Sequence, residues 1–148
     1  MRRSSAEKNG FPVLGEIKGH ATHSNEPEWY TTAPIPAIRN LLAKVGWNVA
    51  DVDAFEINEA FAVVAMAAAH DLGIARDRLN VNGGACALGH PIGATGARLI
   101  VTLVCALQKL CGLIAYSLRG SFNAIRPRVH CRLDHCHQAL ARSAIARL

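Results

Sequence analysis

The sequence predicts a layered α/β domain in residues 1–108, followed by a basic tail of different character. Helical and strand patterns alternate along the first part, which favours strands packed against helices. Hydrophobic residues make up 51% of the 148 residues and aromatic residues only 5%, so the core should be aliphatic. Two predicted helices have apolar segments, 61–69 and 99–107, with almost no polar face, and such helices must be covered all round. We therefore expect an incomplete fold, in which apolar helices form a central layer and one covering sheet is absent.

The first elements follow from alternation and capping residues. Residues 13–21 alternate as a strand. Thr31 or Thr32 should cap the next helix, with Pro34 in its first turn and Gly46 at its end. Residues 51–57 alternate again and predict a second strand.

The later elements surround a glycine-rich loop. Asn58 should begin a helix that runs to about His70, with Gly73 just beyond its end. Residues 79–81 predict a short strand that enters the loop. The last helix of the domain should run from about Ala94 to Gln108.

Charge separates the two parts of the chain. Residues 1–108 carry nine Lys/Arg against ten Asp/Glu, whereas residues 109–148 carry seven Lys/Arg against one Asp, which gives net charges of −1 and +6. The five cysteines are an odd number, and the first residues lack the apolar segment of a secretory signal. No apolar run approaches the ~20 residues that span a bilayer. We expect a cytoplasmic protein with free thiols and no membrane segment.

Two motifs carry a resemblance to a known family. The first is Asn58-Glu59-Ala60-Phe61-Ala62, and the second is Asn82-Gly83-Gly84 followed by Gly89-His90-Pro91-Ile92-Gly93-Ala94-Thr95-Gly96. Their order, their separation and the helices after them resemble the C-terminal half of thiolases, from residue 1 to about residue 108. A lone glycine-rich loop would be weak support, but the two motifs together identify the family.

The resemblance implies an acyltransferase that acts on coenzyme A thioesters. Thiolases condense two acetyl-CoA molecules or cleave a 3-ketoacyl-CoA with free CoA, and no further cofactor is implied. Their fold has two similar halves that pack across central helices. A homo-oligomer is also implied, with acyl-CoA as the small-molecule partner.

His90 and Asn58 are the catalytic residues that the resemblance implies. His90 matches the histidine that activates the nucleophile, and its place before a helix N-terminus disfavours the imidazolium form. Without the first motif, a structural loop histidine would be the simpler interpretation. Asn58 matches the asparagine that positions a water in the oxyanion hole. It could also be a helix N-cap, and both roles can hold at once. Gly89, Phe61 and Gly93 are the expected substrate-binding residues.

The nucleophilic cysteine of the family comes from the N-terminal half, which has no counterpart in this sequence. The second catalytic cysteine lies in a Cys-x-Gly-Gly-Gly segment, which is also without a match. Cys86 and Cys105 are expected to pack as small hydrophobic residues. We therefore expect the chain to be inactive as an isolated fragment. The alternatives are one half of a split enzyme, with the other half on a second chain, and a noncatalytic thiolase-fold binding or interaction module.

Residues after about Gln108 do not resemble the family at all. A change of reading frame near the codon of Lys109 would produce such an abrupt enrichment in Arg and His, and translation of the other two frames tests this hypothesis. His130, Cys131, His135, Cys136 and His137 are possible metal ligands, but their spacing fits no zinc pattern, so we expect no metal. Nucleic-acid binding is not expected, because aromatic residues are scarce. Residues 117–148 should be partly disordered or weakly helical.

Overall fold

A computed structural model describes residues 1–109 in full, and the backbone alone of residue 110 and residues 115–119 and 121–127. The α-helices of this part are α1 (Arg3–Lys8), α2 (Pro34–Val45), α3 (Ala62–Leu72), α4 (Ala85–Leu88) and α5 (Thr95–Leu110). The strands are β1 (Gly15–Ala21), β2 (Ala54–Ile57), β3 (Ala115–Arg119) and β4 (Ser121–Pro127). Short 3-10 helices span Pro27–Thr32, Val49–Asp51 and Arg76–Arg78.

The four strands form one mixed sheet in the order β1-β4-β3-β2. β3 is parallel to β2, and β4 is antiparallel to both β3 and β1. The last three residues of β3 and all of β4 belong to the segment from residue 117 onward, in which we expected disorder or weak helix. That expectation is wrong for the described strands, because hydrogen bonds to β1 and β2 order the backbone there whatever its local pattern.

Strand β2 separates the two sides of the sheet. All four of its residues are buried. Because successive side chains of a strand point to opposite faces, both faces of the sheet are covered at β2. Phe55 and Ile57 join the core that α2 and α3 supply, while Ala54 packs with Leu103 and Leu107 of α5. The two apolar helices α3 and α5 therefore lie on opposite faces of this sheet. They cannot both belong to a single central layer of helices.

The helix ends agree with the sequence better than the helix starts. Gly46 and Gly73 end α2 and α3 with φ of 72° and 66°, in the left-handed region that favours glycine. Thr31 and Thr32 do not cap α2, because they lie inside the preceding 3-10 helix and Ala33 holds the cap position. α3 begins at Ala62 and not at Asn58.

Apolar side chains remain on the outer surfaces of α3 and α5. Val63 and Met66 are 56% and 68% exposed, and Val101 is 62% exposed. Each helix buries one face on this domain and leaves hydrophobic residues on the other. Cys105 on α5 is also exposed, as is Cys86, which corrects the expectation that both thiols pack as core residues.

Candidate active site

The first motif lies on the connection between β2 and α3. Strand β2 ends at Ile57, and Phe61 holds the N-cap position of α3 in an extended conformation. Asn58 is therefore not an N-cap, which leaves its half-buried amide free of that role. Phe61, an expected substrate-binding residue, is 58% exposed at the start of α3.

The second motif forms the loop around α4 and leads into α5. Gly89 follows α4 with φ of 88°, a backbone conformation that a side chain would strain. His90 comes next and is half-buried, and Gly93 lies exposed in the turn before α5. Both glycines expected to bind substrate thus flank His90 on the same loop.

The two motifs meet at His90. Its Nε2 atom lies 3.4 Å from the Nδ2 atom of Asn58, although the residues are 32 positions apart in sequence. On the other side of the ring, Nδ1 lies 2.8 Å from the Oγ1 atom of Thr95. Thr95 is fully buried, and its hydroxyl donates to the carbonyl oxygen of Pro91 at 3.0 Å. The structure therefore brings together the two residues that the sequence predicted to be catalytic.

Glu59 connects the two motifs through hydrogen bonds. Its carboxylate accepts from Asn80 Nδ2 at 2.9 Å and from the backbone N–H of Cys86 at 3.0 Å. Burial alone would raise the pKa of Glu59, but these hydrogen bonds and the positive charge of Arg98 hold it below its ordinary value. The carboxylate lies at the N-terminus of α4, where a negative charge is favourable.

Asn80 holds this arrangement against the end of β2. Its side chain accepts from the Ile57 N–H at 2.8 Å and donates to the Ile57 carbonyl oxygen at 2.9 Å, as a neighbouring strand would. The strand predicted at residues 79–81 is absent, because Asn80 adopts a φ of 47° and only Leu79 forms a bridge to β2. Asparagine adopts a positive φ more readily than most residues, so Asn80 could have indicated a turn at this position from the sequence.

The space for the Glu59 carboxylate depends on Gly84. A Cβ atom added at Gly84 would overlap the carboxyl group of Glu59. We expect Gly84→Ala to lower the free energy of unfolding by about 1–3 kcal/mol, because the displaced carboxylate loses its bonds to Asn80 and Cys86. In a Glu59→Ala background, the same substitution should lower the free energy of unfolding much less. Urea denaturation of the wild type, the two single variants and the double variant measures this coupling.

Gly93→Ala is the matched control for this cycle. A Cβ at Gly93 meets no described atom within 4 Å, so its effect on stability should stay within about 0.5 kcal/mol. If Gly84→Ala lowered the free energy of unfolding equally with and without the Glu59 side chain, overlap with the carboxylate would not be the cause of the loss.

The described cysteines do not have the features of the nucleophile. Partial desolvation, followed by the adjacent Glu59 carboxylate, raises the pKa of the Cys86 thiol and so disfavours its reactive thiolate form. Neither Cys86 nor Cys105 is hydrogen-bonded to His90 in the part of the chain that the structure describes. Within that same part, no cluster of His, Cys, Asp and Glu could hold a metal ion, and no helix is long and apolar enough to cross a membrane. The histidines and cysteines of residues 130–137 lie outside the described residues.

Comparison with known proteins gives the family. A family model for the C-terminal domain of thiolase matches residues 11–119, which is most of the chain. The chain therefore belongs to the thiolase family, as the two motifs indicated. The match continues past residue 108 to the end of β3, and the proposed division between domain and tail at residues 108 and 109 stays a prediction.

Relatives and solved structures agree with this assignment. The chain is 52% identical over 114 residues to acetyl-CoA acetyltransferase 2 of Arabidopsis thaliana, and 44% identical over 112 residues to the cytosolic acetyl-CoA acetyltransferase of Rattus norvegicus. These alignments cover 77% and 76% of this chain but 28% of each relative. The crystal structure of the Bacillus anthracis acetyl-CoA acetyltransferase matches with a TM-score of 0.79 and 37% identity, over 86% of this chain and 34% of that one.

The structural match confirms the predicted fold class, an incomplete α/β thiolase-like C-terminal half. The chain spans less than a third of the length of the curated relatives that it matches.

Proposed function

We propose that this chain supplies the His90 and Asn58 part of a thiolase-type active site, for acetyl-CoA C-acetyltransfer or thiolytic cleavage of a 3-ketoacyl-CoA. The observation that carries the proposal is the 3.4 Å approach of Asn58 Nδ2 to His90 Nε2, which joins the two family motifs at one place. The relatives that match this segment carry the name acetyl-CoA acetyltransferase, which supports the same substrate class.

The chemistry assigns a separate task to each side chain. A thiol nucleophile attacks the thioester carbonyl, and His90 Nε2 accepts the thiol proton. The C–S bond to coenzyme A then breaks, and the acyl group stays on the nucleophile. Asn58 can direct its amide N–H, through a water molecule, at the thioester oxygen that becomes negative during this attack.

The nucleophile in this proposal comes from outside the described residues. Of the two described thiols, Cys86 has a raised pKa and Cys105 lies on the exposed surface of α5. A second segment or chain would therefore complete the site, and the chain by itself would be inactive. Coenzyme A thioesters are its substrates, with no further cofactor.

The exposed apolar surface supports a partner for this domain. Phe61, Val63 and Met66 at the start of α3 and Val101 on α5 are each more than half exposed. Large apolar side chains in such number favour contact with another protein surface. We propose that the other part of the thiolase fold, or a second copy in a homo-oligomer, covers them. A cytoplasmic location fits the rat relative, which is named a cytosolic acetyl-CoA acetyltransferase.

A chimera tests the proposal directly. Residues 11–108 of this chain replace the aligned segment of the Arabidopsis enzyme, which keeps its own sequence on both sides. We expect the chimera to cleave acetoacetyl-CoA with free CoA, since the host provides the nucleophile, and we expect the unmodified chain alone to show no cleavage. Loss of acetoacetyl-CoA absorbance measures both reactions.

The outcomes separate the alternatives. Cleavage by the chain alone would overturn the view that its nucleophile lies elsewhere. A folded but inactive chimera would remove the proposed catalytic role, and saturable binding of acetyl-CoA by the chain without turnover would then favour a noncatalytic binding module. Cleavage that appears when the chain is mixed with a separate N-terminal segment would favour a split enzyme.

A further inference from the structure

We propose that Thr95 is a positioning residue that fixes the tautomer of His90, with the proton on Nδ1 and the lone pair on Nε2. This inference rests on the proposed function, because it explains how His90 would present a base to the thiol. It begins with the position of Thr95 as the first residue of α5, where its side chain is fully buried between the His90 ring and the backbone.

The Thr95 hydroxyl has a backbone acceptor for its proton. Its Oγ1 atom lies 3.0 Å from the carbonyl oxygen of Pro91, which can only accept a hydrogen bond and which also accepts from the backbone N–H groups of Ala94 and Thr95. Two oxygen atoms at that distance without a proton between them would repel each other. The proton of Thr95 therefore points to Pro91, and the hydroxyl has none left to donate to the ring.

The His90 ring must then be the donor in its contact with Thr95. Its Nδ1 atom lies 2.8 Å from Thr95 Oγ1, a normal hydrogen-bond length. Because Thr95 can only accept here, Nδ1 carries a proton, and a neutral ring then has its lone pair on Nε2. That atom faces Asn58, on the side where the two motifs meet.

The opposite tautomer is disfavoured at the Thr95 end of the ring. With the proton on Nε2, Nδ1 would need a donor, and the Thr95 hydroxyl could serve only by leaving Pro91. At the other end, Nε2–H would need the Asn58 amide turned by 180°. That turn would bring Asn58 Oδ1, which is buried without a hydrogen-bond partner among the described residues, against the ring, so this end does not select between the tautomers. The arrangement from Pro91 through Thr95 and His90 to Asn58 gives every contact one donor and one acceptor.

Nitrogen-15 NMR of the 148-residue chain with labelled histidine tests this in mildly alkaline buffer. A His90→Gln variant identifies the His90 signals among those of the seven histidines. We expect a pyrrole-type Nδ1 and a pyridine-type Nε2. The reverse pattern, or an equal mixture, would overturn the proposal before any substitution is made at Thr95.

Two substitutions connect the tautomer to Thr95. Thr95→Val has nearly the same shape without the hydroxyl and should lower the population of the Nδ1–H form, whereas Thr95→Ser should keep it. If a folded Thr95→Val protein kept the proton on Nδ1 of His90, something other than the Thr95 hydroxyl would determine the tautomer. In the chimera, Thr95→Val should lower kcat by at least about tenfold with little change in KM, and Thr95→Ser should restore most of it.

The two arms distinguish this inference from the proposed function. The expected tautomer in an inactive chimera would leave the inference standing and remove the catalytic role. The opposite tautomer in an active chimera would rule out the positioning role of Thr95 and leave the catalytic role of His90 standing.

Discussion

His90→Ala in the chimera should lower kcat for acetoacetyl-CoA cleavage by about 10²–10⁴-fold, because the thiol then loses the group that accepts its proton. KM should change little, since the ring is proposed to act on the nucleophile more than on substrate binding. Steady-state thiolysis over a range of acetoacetyl-CoA concentrations measures both constants.

His70→Ala is the matched control for this loss. His70 is another described histidine, on the last turn of α3, and its side chain is 89% exposed. Its removal should leave turnover unchanged. A His90→Ala chimera that keeps its circular dichroism spectrum and most of its activity would contradict the assigned role.

Glu56→Gln should stabilise the chain at neutral pH by roughly 2–3 kcal/mol and reduce the dependence of its stability on pH. Glu56 on β2 is 1% exposed, and its carboxyl oxygens have no hydrogen-bond partner among the described residues. Burial raises the pKa of Glu56 to about 7, against the opposing charge of Arg98, whose Nη1 lies 3.7 Å away. Each pKa unit corresponds to about 1.4 kcal/mol, which sets the size of the effect.

The direction of this dependence follows from the raised pKa. Between pH 4.5 and about 7 the folded chain holds a proton on Glu56 that the unfolded chain has released. The free energy of unfolding therefore falls as pH rises through this range and levels off above it. The difference in urea denaturation between wild type and Glu56→Gln should grow over the same range. Glu28→Gln, at an exposed carboxylate, should show no such growth.

A constant difference across the range would mean that Glu56 is charged in the folded protein throughout. The pair with Arg98 would then outweigh the cost of burial. A loss of stability in Glu56→Gln at neutral pH would lead to the same conclusion.

Local patterns predicted the features that a single residue determines. Gly46 and Gly73 end their helices because few other residues adopt a left-handed φ, and that constraint is visible without tertiary structure. The strand β2 and the amphipathic helix α2 could be predicted from the spacing of apolar residues, which is also visible without tertiary structure. Asn58 and His90 were found through the family motifs, since no local pattern shows that residues 32 positions apart meet.

The roles of Thr95 and Asn80 could not be predicted, because they depend on which backbone atoms the fold brings near. Thr95 looks like any residue at the start of a helix until the His90 ring lies against it. Asn80 satisfies the backbone of Ile57, 23 residues away, in place of a strand. The caps expected at Thr31, Thr32 and Asn58 were wrong because neighbouring residues already formed other structure.

The basic segment after α5 shows the same limit. Its composition suggested little structure, yet the described backbone of β3 and β4 completes the sheet. Pairing with β1 and β2 supplies hydrogen bonds that no local pattern in this segment reveals.

The contact between Asn80 and Ile57 also decides how the sheet could grow. Leu79 bridges Phe55, the Asn80 N–H donates to the Phe55 carbonyl oxygen at 2.8 Å, and the Asn80 side chain occupies the next backbone groups of β2. An incoming strand would have to displace all of these bonds. At the opposite edge, the described residues place no strand beyond β1. Intermolecular strand pairing, including the pairing that begins aggregation, would therefore enter this sheet from β1.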